Sequence, residues 1–269
     1  MYSRGSGRSL LRLGGIVLRV ATLYCDAGNS RLKWWLVAEE QQLDSGVWLY
    51  QMRCDSPLVK WSKRISLQQV VVAAVVERER LDPLWEALSP WLKGIVPTFI
   101  AADAIAGLVD SDYDLTQLGV DRALAIAAVS ASAHAIVVVD CGTSVTVELV
   151  TSKQRYLGGY ILPGVAMISE LFRAHTAAVR LDGGVQPIVA AKTPGTNTQQ
   201  ALLHGSMVAV GETVAYAINY LQQLEQQLPK LVVTGGDGQI MAQQFKHPFQ
   251  LRPDLILSGM QRLQRLGRV

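Results

Sequence analysis

Short apolar runs rich in Val, Ile and Thr alternate along the chain with longer stretches of helical periodicity. Residues 21–25, 32–38, 70–76, 136–140, 145–150 and 231–234 read as strands. Asp82 and Pro83 supply an N-cap and a first helical position for a segment running through Trp91. The Ala-rich residues 122–133 predict a buried helix, and residues 201–228 a long one that ends before Pro229. Within it, the leucines of LQQLEQQL at 221–228 fall at helical spacing and mark one packing face. A strand hairpin followed by alternating helices and strands occurs twice, which predicts an α/β chain of two similar lobes made by duplication.

The two hairpins carry the first chemical signal. YCDAGNSRLKWWLV, at 24–37, drives a strand into an aspartate, turns through a glycine and leaves on a second strand; VVDCGTSVTVELV, at 138–150, repeats the pattern. In Asp26-Ala27-Gly28-Asn29-Ser30 a glycine lets the backbone turn and approach a ligand, and successive N–H groups form an anion cradle. Lys33 adds a cation within reach of a phosphate, and Asp26 an oxygen suited to hydrated magnesium. One such hairpin reads equally well as an Asx-type turn. The second, Asp140-Cys141-Gly142-Thr143-Ser144, shifts the balance, because two anion-binding corners on two lobes grip a polyphosphate from opposite sides.

Composition and charge narrow the field. With 269 residues, 49% of them hydrophobic, the chain has ample material for a sizeable core. The apolar runs are broken by charge or glycine before the roughly 20 residues of a membrane span, so a soluble protein is expected, without a membrane partner. Four arginines and no acid stand in residues 1–20; without them the net charge of +3 becomes −1. A near-neutral body argues against a nucleic-acid groove. The leader reads as an extension outside the fold or as a targeting peptide, with the extension preferred. Cys25, Cys54 and Cys141 show no metal-ligand spacing and fit reduced thiols of a cytoplasmic protein. The four histidines have no acid partner in a motif, so none is assigned a catalytic role.

Gly119-Val120-Asp121-Arg122 heads the Ala-rich segment. An arginine at a helix start opposes the macrodipole, and a bound anion would offset that cost; Asp121 is at ease there, as a capping acid or otherwise. The paired hairpins resemble the phosphate 1 and phosphate 2 motifs of the acetate and sugar kinase, Hsp70 and actin superfamily. With GVDR, GGYILPG at 158–164, GTNT at 195–198 before ALLHG, and TGGDG at 234–238, the chain resembles the type III pantothenate kinases in motif order across residues 22–238.

The resemblance implies two ribonuclease H-like lobes with a cleft between them: residues 21–118 with the phosphate 1 hairpin, and 119–269 with the phosphate 2 hairpin, the substrate site and the adenosine motif. It implies ATP-dependent phosphorylation of pantothenate, the first step of coenzyme A synthesis, by a cytoplasmic homodimer using magnesium and potassium or ammonium. Asp26, Ala27, Gly28, Asn29, Ser30, Arg31 and Lys33 would form the ATP phosphate loop, and Thr143 would touch ATP from the second lobe. Asp140 would bind the monovalent cation. Gly119, Val120, Asp121 and Arg122 would hold pantothenate, with Asp121 accepting the proton of its hydroxyl and the Arg122 fork on its carboxylate. Thr198 and Tyr113 would line the same site, although the gap between Tyr113 and GVDR is one residue shorter than usual. Thr234-Gly235-Gly236 would face the adenosine. Two alternatives stay open: a non-catalytic regulatory accessory factor of the same family, and a kinase of another small alcohol or a phosphohydrolase of the same superfamily. Residues 186–198, with Pro and Gly breakers, read as a site-lining loop.

Overall fold

Each aspartate-bearing hairpin forms the middle of its own sheet in the computed structural model, which describes residues 10–13, 16–50, 61–175 and 193–269. Cys54, and residues 186–192 of the loop expected at 186–198, lie outside the described residues.

The first sheet holds β1 (Leu10–Leu13), β2 (Ile16–Ala27), β3 (Arg31–Ala38), β4 (Gln41–Leu49), β5 (Ile65–Ala74) and β6 (Thr98–Phe99), ordered β4-β3-β2-β5-β6, with β1 paired to β2. β3 runs antiparallel to β2, and β5 parallel to it. Ala21, Leu23, Cys25 and Ala27 on β2, and Leu32, Trp34, Leu36 and Ala38 on β3, share one buried cluster. That period of two is what one sheet face requires. Helix α1 (Asp82–Leu92) completes the cluster with Leu84, Leu88, Trp91 and Leu92, a helical stripe. The Trp91 indole donates to the Ile65 carbonyl at 2.8 Å. Asp82 is the first helical residue and Leu81 the N-cap, so the boundary lies one residue earlier than Asp82-Pro83 suggested. Trp34 and Trp35 are both buried, but of the two only Trp34 belongs to this cluster.

Further on come α2 (Val120–Val129), β7 (Ile136–Cys141), β8 (Ser144–Val150), β9 (Tyr156–Pro163), α3 (Val165–His175), α4 (Thr198–Glu225), β10 (Lys230–Thr234), α5 (Gly238–Met241), β11 (Phe249–Leu251) and α6 (Leu255–Arg265). The second sheet is ordered β11-β10-β7-β8-β9. Its wiring repeats the first: an antiparallel neighbour on one side of the lead strand and a parallel one on the other. Val137, Val139 and Cys141 of β7 meet Met207, Val210, Val214, Ala217, Ile218 and Leu221 of α4 in one cluster. Ile136 and Val138 are buried too, and a strand covered on both faces reads as the continuous apolar run seen here.

The chain divides into two units. One takes the described residues to Ala104, then Gly119–Asp121 and Met260–Val269; the other takes Ile105–Leu118 and Arg122–Gly259. The chain passes from one unit to the other at 104/105, 118/119, 121/122 and 259/260, the last two inside α2 and α6. Residues 10–20, set outside the fold on sequence grounds, include β1 and the start of β2: Leu10 pairs with Arg19 and Leu13 with Ile16. The basic C-terminal helix α6 also buries apolar side chains, Leu263 fully. Among the described residues α4 is the one helix long and apolar enough, by length and composition, to cross a membrane, with 28% of its most apolar window buried.

Packing of the first core is tight at Gly46 on β4, where an added Cβ would stand 2.6 Å from Cζ2 of Trp34. Gly46→Val is expected to cost about 1–3 kcal/mol through overpacking. A lowered urea midpoint at unchanged slope is the measurement that checks it.

Candidate active site

In the first unit, Asp26 stands near the end of β2, directly opposite Lys33 on β3. The turn between them closes through the Gly28 N–H, which donates to the Arg31 carbonyl at 3.1 Å. The Val75 N–H donates to the Ala27 carbonyl at 3.0 Å, tying the corner to the end of β5. A second tie comes from Tyr50, whose hydroxyl donates to the Gly28 carbonyl at 2.8 Å. Trp48 packs edge-on against the Tyr50 ring at 5.3 Å, and the Arg80 guanidinium lies over it at 4.5 Å. Burial pushes the Tyr50 phenol up to about 12, partly opposed by the charge of Arg80. Its hydroxyl thus remains a donor at neutral pH. Asn29, Ser30 and Arg31 are exposed at the tip.

The second unit builds a related corner with a shorter turn. Asp140, near the end of β7, faces Thr146 on β8, and the Gly142 N–H donates to the Ser144 carbonyl at 3.0 Å. Neither Gly28 nor Gly142 has a positive φ. Conformational freedom is used at a neighbour instead: Gly235, with φ +92°, follows β10. A Cβ there would lie 2.3 Å from the Cys141 carbonyl oxygen and 2.5 Å from Oδ1 of Asp140. The Asp237 N–H donates to the same Cys141 carbonyl at 3.0 Å, and the Gly164 N–H to the carbonyl of the exposed Thr143 at 3.0 Å. TGGDG and the Pro163-Gly164 pair thus wrap the corner that carries Asp140. Burial drives the Cys141 thiol up, away from reactivity.

Asp121 lies in the first turn of α2, in the first unit, and Arg122 follows it in the second. The Arg122 side chain is buried and meets Glu148, of β8, through both atoms of one edge: Nε to Oε1 at 2.6 Å and Nη2 to Oε2 at 2.9 Å. The Tyr156 hydroxyl donates to Oε2 of Glu148 at 2.7 Å and accepts from Nη2 at 2.9 Å. Nη1 reaches the Tyr113 hydroxyl at 3.3 Å, and the Tyr113 ring lies 5.5 Å from the guanidinium. Burial opposes the Arg122 charge, but Glu148 more than offsets it and holds the guanidinium protonated. Burial, and then the Glu148 charge, raise the Tyr156 phenol.

The structure therefore brings Tyr113 to Arg122, and shows the fork read from sequence as a carboxylate grip already on an internal carboxylate. Thr198 is exposed as the first residue of α4, capped by Asn197, whose side chain accepts from the Gln200 N–H at 2.9 Å. Gly119 and Val120 precede Asp121 in the first unit. Sequence reasoning missed Tyr50, Arg80, Tyr156 and Glu148. The last had a signal, a charged residue inside the otherwise uncharged run VTVELV.

The model of the type III pantothenate kinases matches residues 22–220. The chain belongs to this family. A type III pantothenate kinase from Acinetobacter baylyi is 30% identical over 90% of the chain and 97% of its own length. One from Psychrobacter cryohalolentis is 29% identical over 89% and 96%. Among solved structures, a Baf family protein from Campylobacter jejuni has a TM-score of 0.56 at 23% identity, covering 91% of this chain and 98% of its own. A Sinorhizobium meliloti protein described as a 2-dehydro-3-deoxygalactonokinase has 0.51 at 13%, covering 91% and 96%. The fold is shared with both of these structures.

Tyr50→Phe removes one hydrogen bond from the first corner and is expected to cost about 1 kcal/mol. Hydrogen exchange should quicken at Gly28 and Asn29 while the amides of β7 are unchanged.

Proposed function

We propose that the chain transfers the γ-phosphoryl group of ATP to the primary hydroxyl of pantothenate, the committed reaction of a type III pantothenate kinase and the first step of coenzyme A synthesis. The observation that carries this reading is the family match across residues 22–220, which includes both aspartate hairpins and Gly119-Val120-Asp121-Arg122.

Asp26 through Arg31, with Lys33, are the ATP phosphate loop in this reading, and Thr143 is a contact from the second hairpin. The tethering of the first corner by Tyr50 and Val75 supports it, since a cradle of N–H groups works only when held in place. Asp121 accepts the proton of the attacking hydroxyl. Phosphoryl transfer gains more from alignment and charge neutralisation than from a strong base, so an ordinary carboxylate suffices. Gly119, Val120, Arg122, Tyr113 and Thr198 bind the acceptor, and Thr234-Gly235-Gly236 borders the adenosine. The bonding of Tyr113 to Arg122 favours their acting together.

The donor chemistry suits hard cations. Among the described residues no three His, Cys, Asp or Glu side chains gather as a metal cage. Magnesium is commonly held by one or two carboxylates and the nucleotide's phosphates, which Asp26 fits. Asp140 fits a potassium or ammonium ion: its Oδ1 and the Cys141 carbonyl oxygen both lie close beside Gly235, where a Cβ would stand 2.5 and 2.3 Å from them. Such cations supply neutralisation of phosphate charge. The enzyme is read as a cytoplasmic homodimer. Buried free thiols at Cys25 and Cys141 agree with a reducing compartment. An apolar stripe on α4, with Val208, Tyr216, Tyr220 and Leu224 exposed, agrees with a second copy.

ATP consumption by the purified chain should depend on pantothenate, should not be supported by sugars, and should be faster in potassium than in sodium. Consumption independent of pantothenate would overturn the reading. Asp121→Asn should lower kcat by about a hundredfold or more while ATP binding is kept. Turnover near wild type would remove Asp121 from its role.

A further inference from the structure

We infer that Glu148 is a positioning residue for the acceptor site: it fixes the plane of the Arg122 guanidinium, and with it the direction in which Arg122, beside Tyr113, meets the acceptor's carboxylate. The inference rests on the function proposed above.

Glu148 is fully buried in the middle of β8, whose remaining side chains are aliphatic or carry hydroxyls. A buried carboxylate is tolerated when its oxygens are bonded, and here both are. Together, Nε, Nη2 and the Tyr156 hydroxyl close a ring of bonds around it. Two contacts on one edge of a planar fork fix its rotation as well as its place, which a single contact cannot do.

Space for this arrangement is reserved in the neighbouring strand. Gly159 of β9 stands opposite Glu148, and a Cβ there would lie 2.5 Å from Oε2 and 2.3 Å from the Val147 carbonyl oxygen. Gly158 beside it takes φ +99°, and its Cβ position lies 4.0 Å from the Tyr113 ring. The Gly-Gly of GGYILPG thus serves the carboxylate on one side and Tyr113 on the other.

Stability alone is a poor reason for the arrangement, since well-packed apolar residues usually do as well as a buried ion pair. What the pair provides is an arginine already oriented before the acceptor arrives. Of its bonds in this network, the 3.3 Å contact from Nη1 to Tyr113 is the longest, and so the one most readily exchanged for an incoming carboxylate. Glu148 also cancels the Arg122 charge, so the grip on an anionic acceptor depends on direction more than on net charge.

The test is steady-state kinetics on the full chain with pantothenate and ATP varied separately. Glu148→Gln should raise the KM for pantothenate about tenfold or more and leave that for ATP within about twofold. Glu148→Asp should recover part of the loss. Tyr156→Phe, which keeps the ring and deletes the bridging hydroxyl, should raise the pantothenate KM about threefold or more; it decides alone if Glu148→Gln does not fold. A smaller rise in the deciding variant, or equal rises for both substrates, overturns the inference. Wild-type chain inactive toward pantothenate would overturn the functional reading and this inference together; active wild type with unaffected variants would overturn the inference alone.

Discussion

A charged pair can be buried only if each of its polar atoms finds a partner, and in the second unit that condition organises everything around Arg122. Its guanidinium opposes the positive end of the α2 macrodipole, and the anion that offsets both charge and dipole is Glu148 from β8. Glu148 in turn needs Tyr156 from β9, and β9 can approach only because Gly159 presents no side chain. Tyr113, on the segment before α2, closes the far side. Removing either charge would leave the other stranded, at a cost on the order of 3–5 kcal/mol.

The two sheets solve one problem twice. Each runs a lead strand into an aspartate, returns antiparallel on one side, and places a parallel strand on the other. The corners are held by different means. In the first unit a backbone bond, Val75 to the Ala27 carbonyl, is joined by a side-chain tie, Tyr50 on the Gly28 carbonyl. In the second both ties are backbone: Gly164 and Asp237 donate to the carbonyls of Thr143 and Cys141. The glycines of the family motifs follow from that choice, because backbone can lie against backbone only where no Cβ intervenes.

Strands with a clean period and helices with long apolar stripes were legible in the sequence: β3, β7, β8, β10, α1 and α4 all stand where the patterns put them, give or take a few residues. The aspartate corners were legible for the same reason, since hairpin geometry is local. β9 was not, because its Gly-Gly lowers strand propensity and its need for glycine is set by a side chain on another strand. The role of Glu148 was equally hidden, as a single charge in an apolar run declares a partner without naming it. Residues 10–20 were misjudged from composition, because arginines alternating with apolar residues suit an edge hairpin as well as a leader. The crossings at 121/122 and 259/260 were invisible for a topological reason: they fall inside helices, which show no break in pattern.

The one-residue difference between the corners sets their electrostatic characters apart. Across the first, the aspartate's strand partner is a lysine, about 5 Å away between Cβ atoms as in any such pair, so the rim is close to neutral before the exposed arginine at the tip is counted. Across the second, the partner is threonine, and no formal charge comes from the facing strand. The two corners, alike in wiring, thus differ in formal charge: a basic residue stands opposite the aspartate of the first and a neutral hydroxyl opposite that of the second.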